Sequence, residues 1–174
     1  CLTAMFGNLA NHLFKWGPAE YSPLLVLVGL MIAIAPPTLV PRLGLKRSIE
    51  LGSVIHGLGL LAIAFSPTPQ LFVASTLFTS VGCICIPALI AFLTNQVEPA
   101  ERGALLGAVQ TLQEACTGLA SSSYGRIFAA FISETAPINI PGAPFIVAGS
   151  AMFVALGVIT NYFSRFAADA AQYF

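Results

Sequence analysis

Gln96–Tyr124 reads QVEPAERGALLGAVQTLQEACTGLASSSY, and the fold turns on what kind of helix this is. The segment opens on a charged turn, Glu98, Glu101 and Arg102, and no proline occurs from Ala100 to Ala136. At about 100° per residue with Gln110 as zero, Gly103, Gly107, Gln113, Glu114, Thr117, Gly118, Ser121, Tyr124 and Gly125 fall within roughly 140° of arc. Leu105, Ala108, Val109, Leu112, Ala115, Leu119 and Ile127 take the other side. In a soluble protein this is an ordinary amphipathic helix with a wet face.

Its surroundings exclude that setting. The chain is 57% hydrophobic and 8% charged, with a mean hydropathy of +0.87, where soluble domains carry about a quarter charged residues. The composition is that of an all-α, polytopic transmembrane helical bundle. The polar side of the segment then faces other helices or a wet cavity. Glu114 lies near its middle, and an ionisable group at membrane depth is a candidate functional residue by default. Gln110, Gln113, Glu114 and Thr117 are the candidates for a substrate or proton pathway. The same pattern has a second reading, in which glycines and small polar residues only let helices approach closely and the two Gln bond across the contact.

Working outward, Cys1–Phe14 is about 21 Å long as a helix, against roughly 30 Å of hydrocarbon, so it is expected to be the end of a span that starts earlier. Lys15 and Trp16 follow in a turn at interface level. Full spans are expected at about 19–40, 48–65, 71–93, 103–132 and 144–163, in a single transmembrane domain. Glu20 falls in a first turn, where the helix dipole favours it. Pro36 and Pro37 are expected to kink or end the first full span. His56 lies inside the second, as an interhelical hydrogen-bonder or a proton carrier. Ser133–Pro144 reads as a loop, and Arg165 and Asp169 lie beyond the last span. Alternating the loops places Arg42, Lys46, Arg47, Arg102 and Arg165 on one side and Lys15 and Arg126 on the other. The positive-inside rule makes the first side, with the C-terminus, cytoplasmic (or stromal or matrix in an organelle).

Other classes find no support. Net charge is zero, and no basic cluster exists to hold nucleic acid. No P-loop, HExxH or GxSxG occurs, and His12 and His56 stand on different segments without a nucleophile beside them, so the chain is not expected to be an enzyme. Cys1, Cys83, Cys85 and Cys116 show no metal-ligand spacing; Cys83 and Cys85 point roughly opposite ways on a helix and cannot bridge. No metal or cofactor is expected.

Three stretches resemble one family. Arg42-Leu-Gly-Leu-Lys-Arg47 is similar to the RxGxxR/K loop of the major facilitator superfamily, in its second copy between helices eight and nine. Gln96-Val-Glu-Pro-Ala-Glu-Arg-Gly103 followed by Gly107 resembles the start of helix eleven in tetracycline-resistance-like transporters. Gly118-Leu119 with Tyr124-Gly125-x-Ile-Phe128, then Pro141-Gly-Ala-Pro-Phe145, resembles the hippocampus-abundant-transcript branch. Two departures stand out. Ala120-Ser121 replaces the Gly-Pro common in helix eleven, so no helix break is expected there. Val40-Pro41 stands where an acidic residue often precedes the loop motif, which puts charge gating by that loop in question.

The resemblance implies the C-terminal half, helices seven to twelve, of a secondary transporter that moves a small organic solute with proton coupling by alternating access. It implies a gating role for Arg42, Gly44, Lys46 and Arg47, with Glu98 and Arg102 in the same set. Gly44 permits a tight reversal on its own terms, and a plain basic anchor or helix cap is the simpler account of the charges. The expected partners are the lipid bilayer, an N-terminal transporter half and a small-molecule substrate. The alternative is a scaffold or accessory subunit of a larger membrane complex, packed on neighbouring membrane subunits.

Overall fold

A computed structural model describes residues 2–132 and 140–172, with side chains described over 5–132 and 140–165. Among them every regular element is helical: α1 (Leu2–Phe14), α2 (Pro18–Leu43), α3 (Leu45–Ala64), α4 (Pro69–Gly82), α5 (Cys85–Thr94), α6 (Arg102–Ile132) and α7 (Ala143–Gln172). The expected spans at 19–40, 48–65, 103–132 and 144–163 each fall on one helix, whereas 71–93 falls on two, α4 and α5, parts of an interrupted rod. Cys1, residues 133–139 of the expected loop and the side chain of Asp169 lie outside the described residues.

Four rods are long and apolar enough to cross a membrane: Pro18–Leu43, Leu45–Ala64, Pro69–Thr94 and Ala143–Arg165. With 31 residues, α6 is about 46 Å long and could span by length, but its polar face keeps it out of that group. The chain is an all-α integral membrane bundle.

Pro36 and Pro37 do not end α2, which continues through them and Pro41 to Leu43. Each proline removes a backbone donor, and membrane helices tolerate this where other groups take up the freed carbonyls. The carbonyls left without an α-helical donor here are those of Ile32, Ala33 and Pro37; close by, the Thr38 hydroxyl donates to the carbonyls of Ile34 at 2.8 Å and Ala35 at 3.1 Å. The helix begins with Glu20 accepting from the amide of Gly17 at 2.7 Å. The expected loop at 42–47 shrinks to one residue: only Gly44, at φ 78°, separates α2 from α3. That left-handed φ is one glycine adopts freely.

Helix α3 is the centre of the bundle, with α4/α5 on one side and α7 on the other. Lipid gives apolar helices little reason to associate, so close contact rests on van der Waals packing of small residues. A Cβ at Gly52 would lie 2.8 Å from the amide nitrogen of Cys85 and 2.9 Å from the carbonyl of Gly82. One at Gly59 would collide with Thr79, and one at Gly82 with the backbone of His56. On the other side the Phe153 ring covers Gly57, and Gly142 abuts the backbone of Ala64. Facing α3, the buried Thr76, Thr79 and Ser80 of α4 return their hydroxyls to the carbonyls four residues back, at 2.7, 2.7 and 2.8 Å. The polar groups are thereby satisfied within the helix.

Two apolar clusters flank this crossing. One gathers Phe6, Leu9, Leu60, Phe72 and Phe145 where α1 ends and α4 and α7 begin. The other joins Ile49, Ala88 and Phe163 at the opposite end. Their positions fix the up-and-down course of the chain.

Candidate functional site

The polar segment forms α6, unbroken from Arg102 to Ile132, as Ala120-Ser121 leads one to expect. It is an edge helix with no buried residue. Its side of half-buried contact runs through Leu105, Val109, Tyr124 and Phe128, with Tyr124 and Phe128 against the first apolar cluster. His12 of α1 meets the Phe128 ring edge-on at 6.2 Å.

The four candidate residues of α6 divide. Gln113 lines a cavity of about 190 Å³ between α3, α5, α6 and α7, with Ser53, Cys85, Val109 and Met152 among its neighbours. All four, Gln113 included, are exposed. Gln110 Nε2 donates to Glu114 Oε1 at 2.8 Å, one turn along the helix. That bond orients the carboxylate and satisfies one oxygen, leaving the other free to take a proton or a donor from outside the chain. The glycines of this face do not serve close packing within the chain. A Cβ at Gly103, Gly107, Gly118 or Gly125 would meet nothing within 4 Å. The small-residue contact proposed for α6 occurs instead around α3.

His56 takes its partners from α4. The interruption after Gly82 turns the Cys83 amide to Ser80 O at 3.2 Å and the Ile84 amide to Val81 O at 3.3 Å. Its cause is Pro87, which has no amide to offer Cys83 O and whose ring crowds that carbonyl. Thr79 O, which Cys83 would bond in an unbroken helix, lies 3.2 Å from His56 Nδ1. A carbonyl only accepts, so Nδ1 carries the hydrogen and Nε2 the lone pair. Cys83 Sγ is 3.6 Å from the same nitrogen. Cys83, Cys85 and Cys116 are free thiols.

The interruption is the feature sequence reasoning missed. Pro87 and the run Ser75-Thr76-x-x-Thr79-Ser80 were the available signals.

At the joint between α2 and α3, Lys46 Nζ sits 5.4 Å from the centre of the Phe163 ring. That cation–π contact ties the start of α3 to α7. Arg42 and Arg47 are exposed, as are Glu98 and Arg102 before and at the start of α6. Among the described residues none of these four is held in an ion pair. The Glu98 carbonyl accepts from the Glu101 amide at 2.9 Å, closing the turn that starts α6.

The arrangement defines a class before it defines a relative: a membrane-embedded helical bundle with a polar face on an edge helix. A class G tetracycline resistance protein of Vibrio anguillarum is 31% identical over 127 residues, which is 71% of this chain and 31% of the relative. Hippocampus abundant transcript-like protein 1 of Mus musculus is 26% identical over 154 residues, 78% of this chain and 30% of the relative. The Homo sapiens counterpart is 25% identical over 154 residues, again 78% and 30%. The chain thus spans about 30% of the length of the curated relatives it matches. No family profile matches the chain, and no solved structure does. The chain is similar to the tetracycline-resistance-like and hippocampus-abundant-transcript-like branch of the major facilitator superfamily, as its motifs indicate.

Proposed function

We propose that this chain forms the C-terminal half of a secondary transporter that moves a small organic solute, coupled to protons, by alternating access. The observation that carries this is the open face of α6. Gln110 and Glu114 are exposed and bonded to each other, and a Cβ added at the neighbouring glycines would meet nothing within 4 Å. A polar, glycine-lined face at membrane depth is stable when it meets other helices or a wet cavity. In this proposal the other half of the carrier supplies both, and solute passes between the halves as they rock. The protein is then a carrier and not an enzyme. Glu114 exchanges the proton, Gln110 positions its carboxylate, and Gln113 and Thr117 offer hydrogen bonds along the route; His56, bonded to α4, is a structural hydrogen-bonder. Arg42, Lys46 and Arg47 lie on the cytoplasmic, stromal or matrix side with Arg102. Gly44 makes the tight joint between α2 and α3, and Glu98 with Arg42, Lys46, Arg47 and Arg102 closes that end against the partner half.

The test uses the full-length protein that contains this chain, in proteoliposomes with an imposed proton gradient. Tetracycline is the first solute, after the name of one relative. Glu114→Gln is expected to cut gradient-driven uptake about a hundredfold, in the range of losses on removing a positioned acid–base group. Gln110→Ala is expected to cut it less and to shift its pH dependence. Driven uptake in the parent with unchanged rate and pH dependence in Glu114→Gln would falsify the assignment.

A further inference from the structure

Between α1, α2, α3, α4 and α7 lies a cavity of about 180 Å³ that the transport route through α6 does not use. Leu25 and Val28 of α2, Leu60 and Ile63 of α3 and Phe145 of α7 form apolar walls. Thr79, Ser80, His56 and Cys83 also line it. With Thr76, which lines it too, the three hydroxyls spend their hydrogens on Phe72 O, Ser75 O and Thr76 O. His56 differs. Its Nδ1–H is committed to Thr79 O, so the ring has one acceptor to offer, Nε2. Among the described residues that atom has no hydrogen-bond partner, yet it is not sealed in. Among the described residues, Ser48 Oγ is the buried side-chain oxygen or nitrogen that lacks a partner.

A mostly apolar cavity whose lining includes a ring nitrogen with no hydrogen to give and hydroxyls already donating has a definite complement, an apolar body with one hydrogen-bond donor. An enclosed apolar cavity of roughly 150 Å³ accommodates benzene and stays dry without it. This one is slightly larger in volume, is partly open rather than enclosed, and adds a place for a hydrogen-bond donor. We propose that it binds a small phenol-like molecule, with the ring against Leu25, Leu60 and Ile63 and the hydroxyl donating to His56 Nε2. The site lies wholly within this chain and needs neither the α6 face nor a second half. Its occupancy is therefore independent of whether the protein transports anything.

Binding is measured on the purified chain in lipid nanodiscs, with 4-fluorophenol and fluorobenzene as probes and ¹⁹F NMR as readout. Saturable binding of 4-fluorophenol is expected, with fluorobenzene about tenfold weaker for want of one hydrogen bond. His56→Leu is expected to bind the two alike, while His56→Gln, which keeps an acceptor, retains part of the preference. Val28→Trp fills the cavity from its edge and is expected to abolish saturable binding of both. Circular dichroism and a single elution peak check that each variant is folded.

Equal binding of the two probes by the parent protein overturns the inference. So does a preference that survives in His56→Leu, or in Val28→Trp if the Leu variant does not fold. Uptake no greater than in empty nanodiscs also overturns it, since the probes then sit among acyl chains.

Discussion

Gly82 and Gly107 are both helical glycines, and the bundle treats them oppositely. A Cβ at Gly82 runs into the backbone of His56, whereas one at Gly107 meets nothing within 4 Å. Gly82→Ala is therefore expected to cost about 1–3 kcal/mol, as overpacking of a tight contact does. Gly107→Ala in this chain should raise stability by about 0.5–1 kcal/mol through helix propensity. Reversible unfolding in mixed micelles measures both. If α6 docks on a second half, the sign at Gly107 reverses in the full-length protein. Sequence alone does not separate the two glycines, because the difference lies in what crosses each helix. Likewise His56 was visible as a polar group in an apolar span, but its partner was not. Thr79 O becomes available only because Pro87, eight residues on, interrupts the ladder.

At the scale of the element, two small devices set the bundle's shape. Gly44 at φ 78° joins α2 to α3 in one residue. Gly44→Ala forces a Cβ into the left-handed region and is expected to cost about 1–2 kcal/mol, read in the same unfolding assay. Pro87→Ala offers Cys83 O the α-helical donor at residue 87, in place of the Ile86 amide it now accepts from at 3.2 Å. It should close the interruption between α4 and α5, slow amide exchange at residues 83–87 and release His56 from Thr79. Unchanged exchange at those amides would assign the interruption to packing against α3 instead. The ends of most helices were legible from prolines, glycines and charged turns. The extension of α2 was not, because Pro36 and Pro37 would end a helix in water. In the bundle, the Thr38 hydroxyl adds bonds to two carbonyls nearby.

For the molecule as a whole, the order of the helices places Gln70 and Gln96 at opposite ends of the α4/α5 rod. Both are exposed. With the native cysteines replaced, Gln96→Cys should react with a membrane-impermeant maleimide from the side that carries Arg42, Arg47 and Arg102, and Gln70→Cys from the other. Labelling of both from one side would overturn the sidedness argued from the basic residues. The helical class was plain in composition. The candidate site was half legible. The polar face of α6 announces itself by period, but what covers it is a property of surfaces that meet, and one helix's sequence does not carry that.

The single-residue link at Gly44 also bears on how a cell makes this protein. Helices of 26 and 20 residues joined with no slack cannot be delivered to lipid one at a time at leisure. Once α2 has entered, α3 must follow within moments or hold its neighbour at the exit of the insertion machinery. The pair therefore partitions as a preformed hairpin. Helix α3, which carries His56, two serines and several glycines along the faces it packs with, enters the bilayer in the company of the more apolar α2 rather than on its own merit.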